Sequence, residues 1–370
     1  MWDFRPTTIA TKYQLFRLLQ NLKPFDAAPR KCQNALIQAG QTAAETFRRQ
    51  PGVGIMQRNF TDLLRAQWAR GLFSCVGLDT DYPKIPACVK GSSIISRMMQ
   101  FNSAIIQHTH DVAGAYKPNF AFYVARWKQG GLDALYHTID CIRKTSPETP
   151  VVLDCKDADI GNTNNGYLEM ALEFGADAIT TNPYFGGEAL TPFLSNKDLG
   201  VIVLCRTSNP GSDEFQGRMI LTDPKELMTL LDRDNYYTGM DMGWWDLPGH
   251  GMVAVPMYQL VALQVARYWN TNSNCALVVG ATYPNELQRI RHLVPDIPLL
   301  IPAVGEQGGD AATVARLGRA RNGAGFIVNN SRGIIFASNS EDYAEVARQK
   351  TIKLNEQIAA GLQPVEPIPA

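Results

Sequence analysis

From residue 67 onward, short apolar runs alternate with longer amphipathic stretches. Eight runs have the length and the β-branched or aromatic content of strands: LFSCVGLD (72–79), VAGAYKPN (112–119), PVVLDCK (150–156), ADAITTN (176–182), GVIVLCR (200–206), CALVVGA (275–281), PLLIPAV (298–304) and GFIVNNS (325–331). Their interiors are nearly continuous in apolar residues, as in strands covered on both faces. Helical spacing fills most of the intervals, for instance in SSIISRMMQFNSAIIQHTH and AATVARLGRARN, and EDYAEVARQKTIKLNEQIAA follows the eighth run. Eight strands, each followed by a helix, predict an α/β fold of the (β/α)8 TIM-barrel type over 67–362.

Two stretches depart from the repeat. Residues 1–66 are basic, with acids only at Asp3, Asp26, Glu45 and Asp62, and TKYQLFRLLQNL and ALIQAGQTAAETFRR have helical spacing. The segment reads as a helical N-terminal extension or as a targeting peptide. Near 232–250 the interval between the fifth and sixth runs carries Tyr236, Tyr237, Trp244 and Trp245. This aromatic insertion is expected to pack on the barrel's flank, with a lid or a partner surface as the other readings.

Composition narrows the partners. The formal net charge is zero and charged residues make up 19% of the chain, so no global basic field favours nucleic acid, and a small-molecule partner is expected. The seven cysteines form no CxxC pair, and Cys75, Cys155, Cys205 and Cys275 sit in apolar runs. They read as buried thiols of a reducing compartment. No apolar run reaches the roughly 18 residues of a membrane span, and the N-terminus lacks a signal-peptide core. A cytoplasmic protein with no membrane partner is expected.

Candidate chemistry sits where the apolar runs stop, because the C-terminal ends of barrel strands converge on one face. Those ends carry Asp79, Lys117 with Asn119, Asp154 with Lys156, Thr181 with Asn182, Thr207 with Ser208, the GAT run at 280–282, the VGEQGGD loop at 304–310 and NNSRG at 329–333. Strand alternation puts Asp154 and Lys156 on one face and leaves Asp159 on the following loop. Two lysines and two or three aspartates in one mouth form a coupled charge network. The glycines of VGEQGGD with Arg332 have the composition of a barrel phosphate site.

The stretches FSCVGLDTDYPKIP, GAYKPNFAFY, VVLDCKDADIGNT, ADAITTNPYFGGEAL, VLCRTSNPGSDEFQ, VVGATYP, LLIPAVGEQGG and VNNSRGI resemble those of the orotidine 5′-phosphate decarboxylase family, in its bacterial-type, type 2 branch. The resemblance implies a barrel that dimerises with active sites at the interface. It also implies decarboxylation of orotidine 5′-monophosphate to uridine 5′-monophosphate, the last step of de novo synthesis of that nucleotide, with neither metal nor organic cofactor. Lys117, Asp154, Lys156 and Asp159 match the family's alternating array, with Lys156 as proton donor and with Asp159, Ile160 and Thr163 reaching into the partner's site. By the same matching, Asp79 and Asn119 contact the ribose region, Ser208 the pyrimidine, and Gln307 and Arg332 the phosphate.

Asp157 and Ala158 stand where this branch is expected to have a basic residue and a glycine, which adds a negative charge to the loop. The basic extension and the aromatic insertion are also additions. Two other readings compete: a Mg²⁺-dependent phosphosugar aldolase or synthase of the same suprafamily, and a barrel without activity that serves as a scaffold.

Overall fold

The structure, a computed structural model, describes residues 58–231, 241–247, 249–304 and 309–363. Eight parallel strands form the central sheet: β1 (Ser74–Leu78), β2 (Ala115–Pro118), β3 (Val152–Leu153), β4 (Ala178–Thr181), β5 (Gly200–Arg206), β9 (Cys275–Val279), β10 (Leu299–Ile301) and β11 (Phe326–Asn330). The remaining three, β6 (Met219–Thr222), β7 (Trp245–Leu247) and β8 (Met252–Pro256), make a separate antiparallel sheet. The parallel strands run in the order β2-β1-β11-β10-β9-β5-β4-β3. Parallel bridges Tyr116↔Val151 and Asn119↔Asp154 then join the two ends of the sheet. Each of the eight predicted runs contains one strand, and the barrel is the (β/α)8 fold that the pattern predicts.

The strand faces are sorted by alternation. Cys75, Ala115, Val152, Ala178, Ile202, Ala276, Leu300 and Ile327 form one inward layer near the strands' N-terminal ends. The helix α1 (Phe60–Ala69), N-capped by Asn59, lays Phe60 and Leu64 against that layer. Its Trp68 donates an indole hydrogen bond to Phe326 O at 2.8 Å. A Cβ on Gly200 would stand 2.1 Å from the Phe60 ring, so the first residue of β5 makes room for this plug. The expected boundary at residue 66 falls inside α1, and residues 1–57 of the expected extension lie outside the described residues.

Outward side chains pack beneath a ring of helices: α2 (Ile94–Thr109), α3 (Gly131–Thr145), α4 (Thr163–Phe174), α5 (Met257–Gln264), α6 (Pro284–Leu293), α7 (Ala311–Gly318) and α8 (Tyr343–Leu362). Phe101 and Ile105 of α2, Leu135 and Ile139 of α3, Ile290 of α6 and Ile358 of α8 are buried in this layer. Burying side chains of this size contributes about 1.5–3 kcal/mol each. A capping box between Ser93 and Ser96 starts α2.

Between β5 and β9 the order of the sheet is β6-β8-β7, a unit that the aromatic pattern alone did not predict. Trp244 is half-buried and its indole N–H donates to Gln259. Trp245, on β7, is 69% exposed, so the expected packing on the flank does not extend to it. Tyr236 and Tyr237 lie outside the described residues. Cys75, Cys205 and Cys275 are buried, and the six described cysteines are free thiols. Among the described residues no helix is long and apolar enough to cross a membrane.

Candidate active site

One step of alternation above the plug layer, one side of the barrel becomes polar, with Lys117 on β2, Asp154 just past β3, Thr180 on β4 and Asn329 on β11, while Leu204 and Val278 keep the other side apolar. Lys117 Nζ donates to Asp154 Oδ2 at 2.5 Å and stands 3.8 Å from Asp79 Oδ1. Lys156 Nζ meets the other Asp154 oxygen, Oδ1, at 2.5 Å. The four side chains form a chain of alternating charge that climbs from the buried Lys117 and Asp154 to Lys156, whose side chain is 47% exposed at the mouth.

Burial alone would depress the Lys117 ammonium, but Asp154 and Asp79 outweigh it and raise it above the ordinary lysine value. Burial would likewise raise the Asp154 carboxyl, yet the two ammonium groups hold it well below the usual carboxylate range. Both groups are therefore charged at neutral pH. Beneath them the Cys75 thiol is pushed up to about 12, chiefly by desolvation, which leaves it protonated and inert.

Alternation explains the meeting of Lys117 and Asp154 but not that of Asp154 and Lys156. Regular pairing stops at Leu153, with an isolated bridge at Asp154, and Lys156 adopts φ 59°, in the left-handed region. The chain turns at this point, and the turn, not an extended strand, brings the two side chains together.

A cavity of about 690 Å³ opens above the array, and Asp79, Lys117, Asn119, Asp154, Lys156, Ser208 and Arg332 all line it. Ser208 reaches it on the loop after β5. The base of that loop is fixed by Arg206, whose side chain is fully buried. Its guanidinium donates to Ser212 Oγ at 2.7 Å and Asp213 Oδ1 at 2.5 Å, bonds Glu286 as well, and lies 4.0 Å from the Tyr283 ring centroid. A buried arginine is tolerated because its donors are paired in this way. Gly280 lets the loop approach, since a Cβ there would stand 2.9 Å from that of Ser208.

Arg332 begins the short helix Arg332–Ile335 just after β11. The preceding Ser331 sits over Gly77, where a Cβ would be 1.9 Å from the Ser331 hydroxyl, so that only glycine fits. Across the mouth, Val304 bridges Gly309. Gln307, between them, lies outside the described residues.

Asp159 and Thr163 are not brought into the cavity of their own chain. Asp159 Oδ1 accepts the Ile160 N–H at 2.6 Å, and its own N–H donates to Asn164 Oδ1 at 2.8 Å. Thr163 starts α4. The site contains Thr180 and Gln216, which the sequence reading did not name, and Asn329, which it named only within the NNSRG run. Thr180 donates to Asp154 Oδ1 at 2.9 Å. Gln216 lines the cavity and accepts the Thr207 N–H at 2.8 Å. Asn329, 7% exposed, has a buried Oδ1 with no hydrogen-bond partner among the described residues, as does Asp79 Oδ1. For Thr180 and Asn329 the signal was available, since each lies two residues beyond an inward position of the plug layer.

A family model described as orotidine 5′-phosphate decarboxylase / HUMPS family matches residues 75–245. The chain is 37% identical over 302 residues to an orotidine 5′-phosphate decarboxylase of Cellvibrio japonicus, covering 81% of this chain and 98% of that one. It is 40% identical over 301 residues to one of a Janthinobacterium species, covering 81% and 97%. Among solved structures, an OMP decarboxylase of Leishmania donovani superposes with a TM-score of 0.61 at 30% identity, covering 82% of this chain and 99% of that one. A UMP synthase of the same organism gives 0.63 at 30% identity, and there the match covers 82% of this chain and 57% of the longer protein. Identity at this level, sustained over almost the whole length of the bacterial relatives, makes the chain a member of the orotidine 5′-phosphate decarboxylase family.

Proposed function

We propose that this chain decarboxylates orotidine 5′-monophosphate to uridine 5′-monophosphate, in a cavity where Asp79, Lys117, Asp154 and Lys156 alternate in charge. The observation that carries the reading is the ionised Asp154 held between two ammonium groups. Loss of CO₂ from C6 of the pyrimidine leaves a carbanion, which needs a cation beside it and then a proton. Lys156 supplies both: its ammonium stabilises the developing charge and gives C6 a proton, which solvent later replaces. An opposite-charge pair 4 Å apart at an effective dielectric of about 20 is worth about 4 kcal/mol. Asp154 opposes the substrate carboxylate through like charge, and this repulsion disappears as CO₂ leaves. Lys117 keeps Asp154 ionised and oriented.

The remaining roles are those the family resemblance implies, supported for Asp79, Asn119, Ser208 and Arg332 by their place around the cavity. Asp79, whose Oδ1 pairs with Lys117 at 3.8 Å but has no hydrogen-bond partner among the described residues, and Asn119 take the ribose hydroxyls, Ser208 takes the pyrimidine, and Arg332 with Gln307 takes the phosphate. Phosphate binding far from C6 orients the ring over the array. Asp159 and Thr163 complete the site of a second copy in a homodimer. Support for this comes from the loop that carries them, which lies outside its own chain's cavity and leaves Ile160 63% exposed. The described cysteines are free thiols, which suits a reducing, cytoplasmic compartment.

The test is turnover of orotidine 5′-monophosphate by purified protein in excess EDTA, with the product identified as uridine 5′-monophosphate. Undiminished turnover is expected. No conversion of the nucleotide, with Mg²⁺-dependent turnover of a phosphosugar by the same protein, would favour the aldolase-type reading instead.

A further inference from the structure

Lys156 holds a backbone conformation, φ 59°, that a residue with a side chain adopts only when its surroundings enforce it. Three consecutive residues at the end of β4 do so. The Lys156 N–H donates to Thr180 Oγ1 at 2.9 Å. Thr181 Oγ1 donates to Asp157 O at 2.7 Å. Asn182 Nδ2 donates to Lys156 O at 3.2 Å. Both peptide groups of the lysine, and the carbonyl that follows, are thus tied to side chains from the neighbouring strand.

Thr180 has a second bond that makes it the centre of this clamp. Its hydroxyl is buried and donates its single proton to Asp154 Oδ1 at 2.9 Å, the same oxygen that the Lys156 ammonium reaches at 2.5 Å. With that proton committed to Asp154, the hydroxyl has none to offer a ligand. We propose that Thr180 is a positioning residue: one hydroxyl fixes the backbone of Lys156 and the carboxylate of Asp154 together, and so sets where the ammonium stands relative to the reacting carbon. The inference rests on the decarboxylase reading for its consequence in turnover, but the geometry it describes does not depend on substrate.

Thr180→Val keeps the shape and the β-branch and removes both hydrogen bonds, whereas Thr180→Ser keeps them. Steady-state kinetics on the full chain should show kcat falling about 10- to 100-fold in the valine variant, as for a reacting group displaced by a fraction of an ångström. Affinity for uridine 5′-monophosphate should stay at the wild-type value, and serine should restore most of kcat. A merely structural role would lower Tm and leave the kcat of the folded enzyme alone. Valine with wild-type kcat, serine as impaired as valine, or a loss confined to nucleotide affinity would each overturn the proposal. If the valine variant does not fold, Asn182→Ala reads the same clamp; a smaller fall in kcat is expected, and an unchanged kcat overturns it. Crystal structures of the wild-type and valine proteins separate this inference from the decarboxylase reading. Wild-type protein inactive on the nucleotide would sink that reading, yet release of Lys156 from Asp154 in the valine variant would still support the clamp, and an unmoved Lys156 would overturn it.

Discussion

Arg332 is exposed at the start of its short helix, and among the described residues it has no carboxylate partner. A guanidinium so placed beside a nucleotide-sized cavity is available to an anion. Arg332→Ala is expected to weaken binding of uridine 5′-monophosphate by about 1.5–3 kcal/mol, the usual worth of a charge-assisted hydrogen bond. Calorimetric titration of the two proteins checks this, and equal affinities would place the phosphate elsewhere. At this scale the sequence was legible wherever strand periodicity decides the outcome. Asp79, Lys117, Asn119 and Asp154 follow inward positions of their strands and share the cavity. Lys156 was also named in advance, but the turn that brings it to Asp154 was not legible, because it is held by side chains 24 and 26 positions away, and no local pattern encodes such a contact. Gln216 was hidden for the same reason: it enters the cavity from a loop, where spacing carries no direction.

Elements are joined to one another by fewer, more specific contacts. The last helix, α8, is tied to the turn before β2 by Arg348, which donates to both oxygens of Asp111 at 2.5 and 2.8 Å. Hydrogen bonds from that guanidinium hold the Asp111 carboxyl at about 2, below its ordinary 3.8. The folded-state value is the lower one, so the pair's contribution is present above the ordinary value and is lost as pH falls from there toward 2. Asp111→Asn should flatten the pH dependence of denaturant stability in that window. The change should be at most about 1 kcal/mol, because both side chains are partly exposed, and a slope identical to wild type would show the pair to be idle. The strands themselves were legible as apolar runs, and β5 spans the predicted interval without change. The sheet of β6, β7 and β8 was not, because its strands are three to five residues long and one of them begins within the aromatic cluster that dominates the local pattern. Similarly, nothing in the sequence of α1 marks it as a plug; only the ring of small and branched side chains it meets, drawn from eight separate strands, gives it that place.

The whole molecule was legible in outline, since eight apolar runs with helical intervals admit few arrangements other than a closed parallel barrel. Assembly belongs to the same scale. If Asp159 and Thr163 complete the partner's site, mixing inactive Lys156→Ala chains with inactive Asp159→Ala chains restores one intact site in each mixed dimer. Random exchange then gives about a quarter of the wild-type sites; confirmed exchange without activity would mean that each chain builds its own site. The claim on which everything else rests is that this barrel removes CO₂ from orotidine 5′-monophosphate with Lys156 as the acid. Its most direct measurement is the absorbance decay of that nucleotide under wild-type protein and under Lys156→Ala in parallel. Turnover by the wild type and a loss of at least about 100-fold in the variant, with uridine 5′-monophosphate still bound, are expected; a variant that keeps more than about a tenth of the activity, or a wild type that leaves the absorbance unchanged, would contradict this role of Lys156.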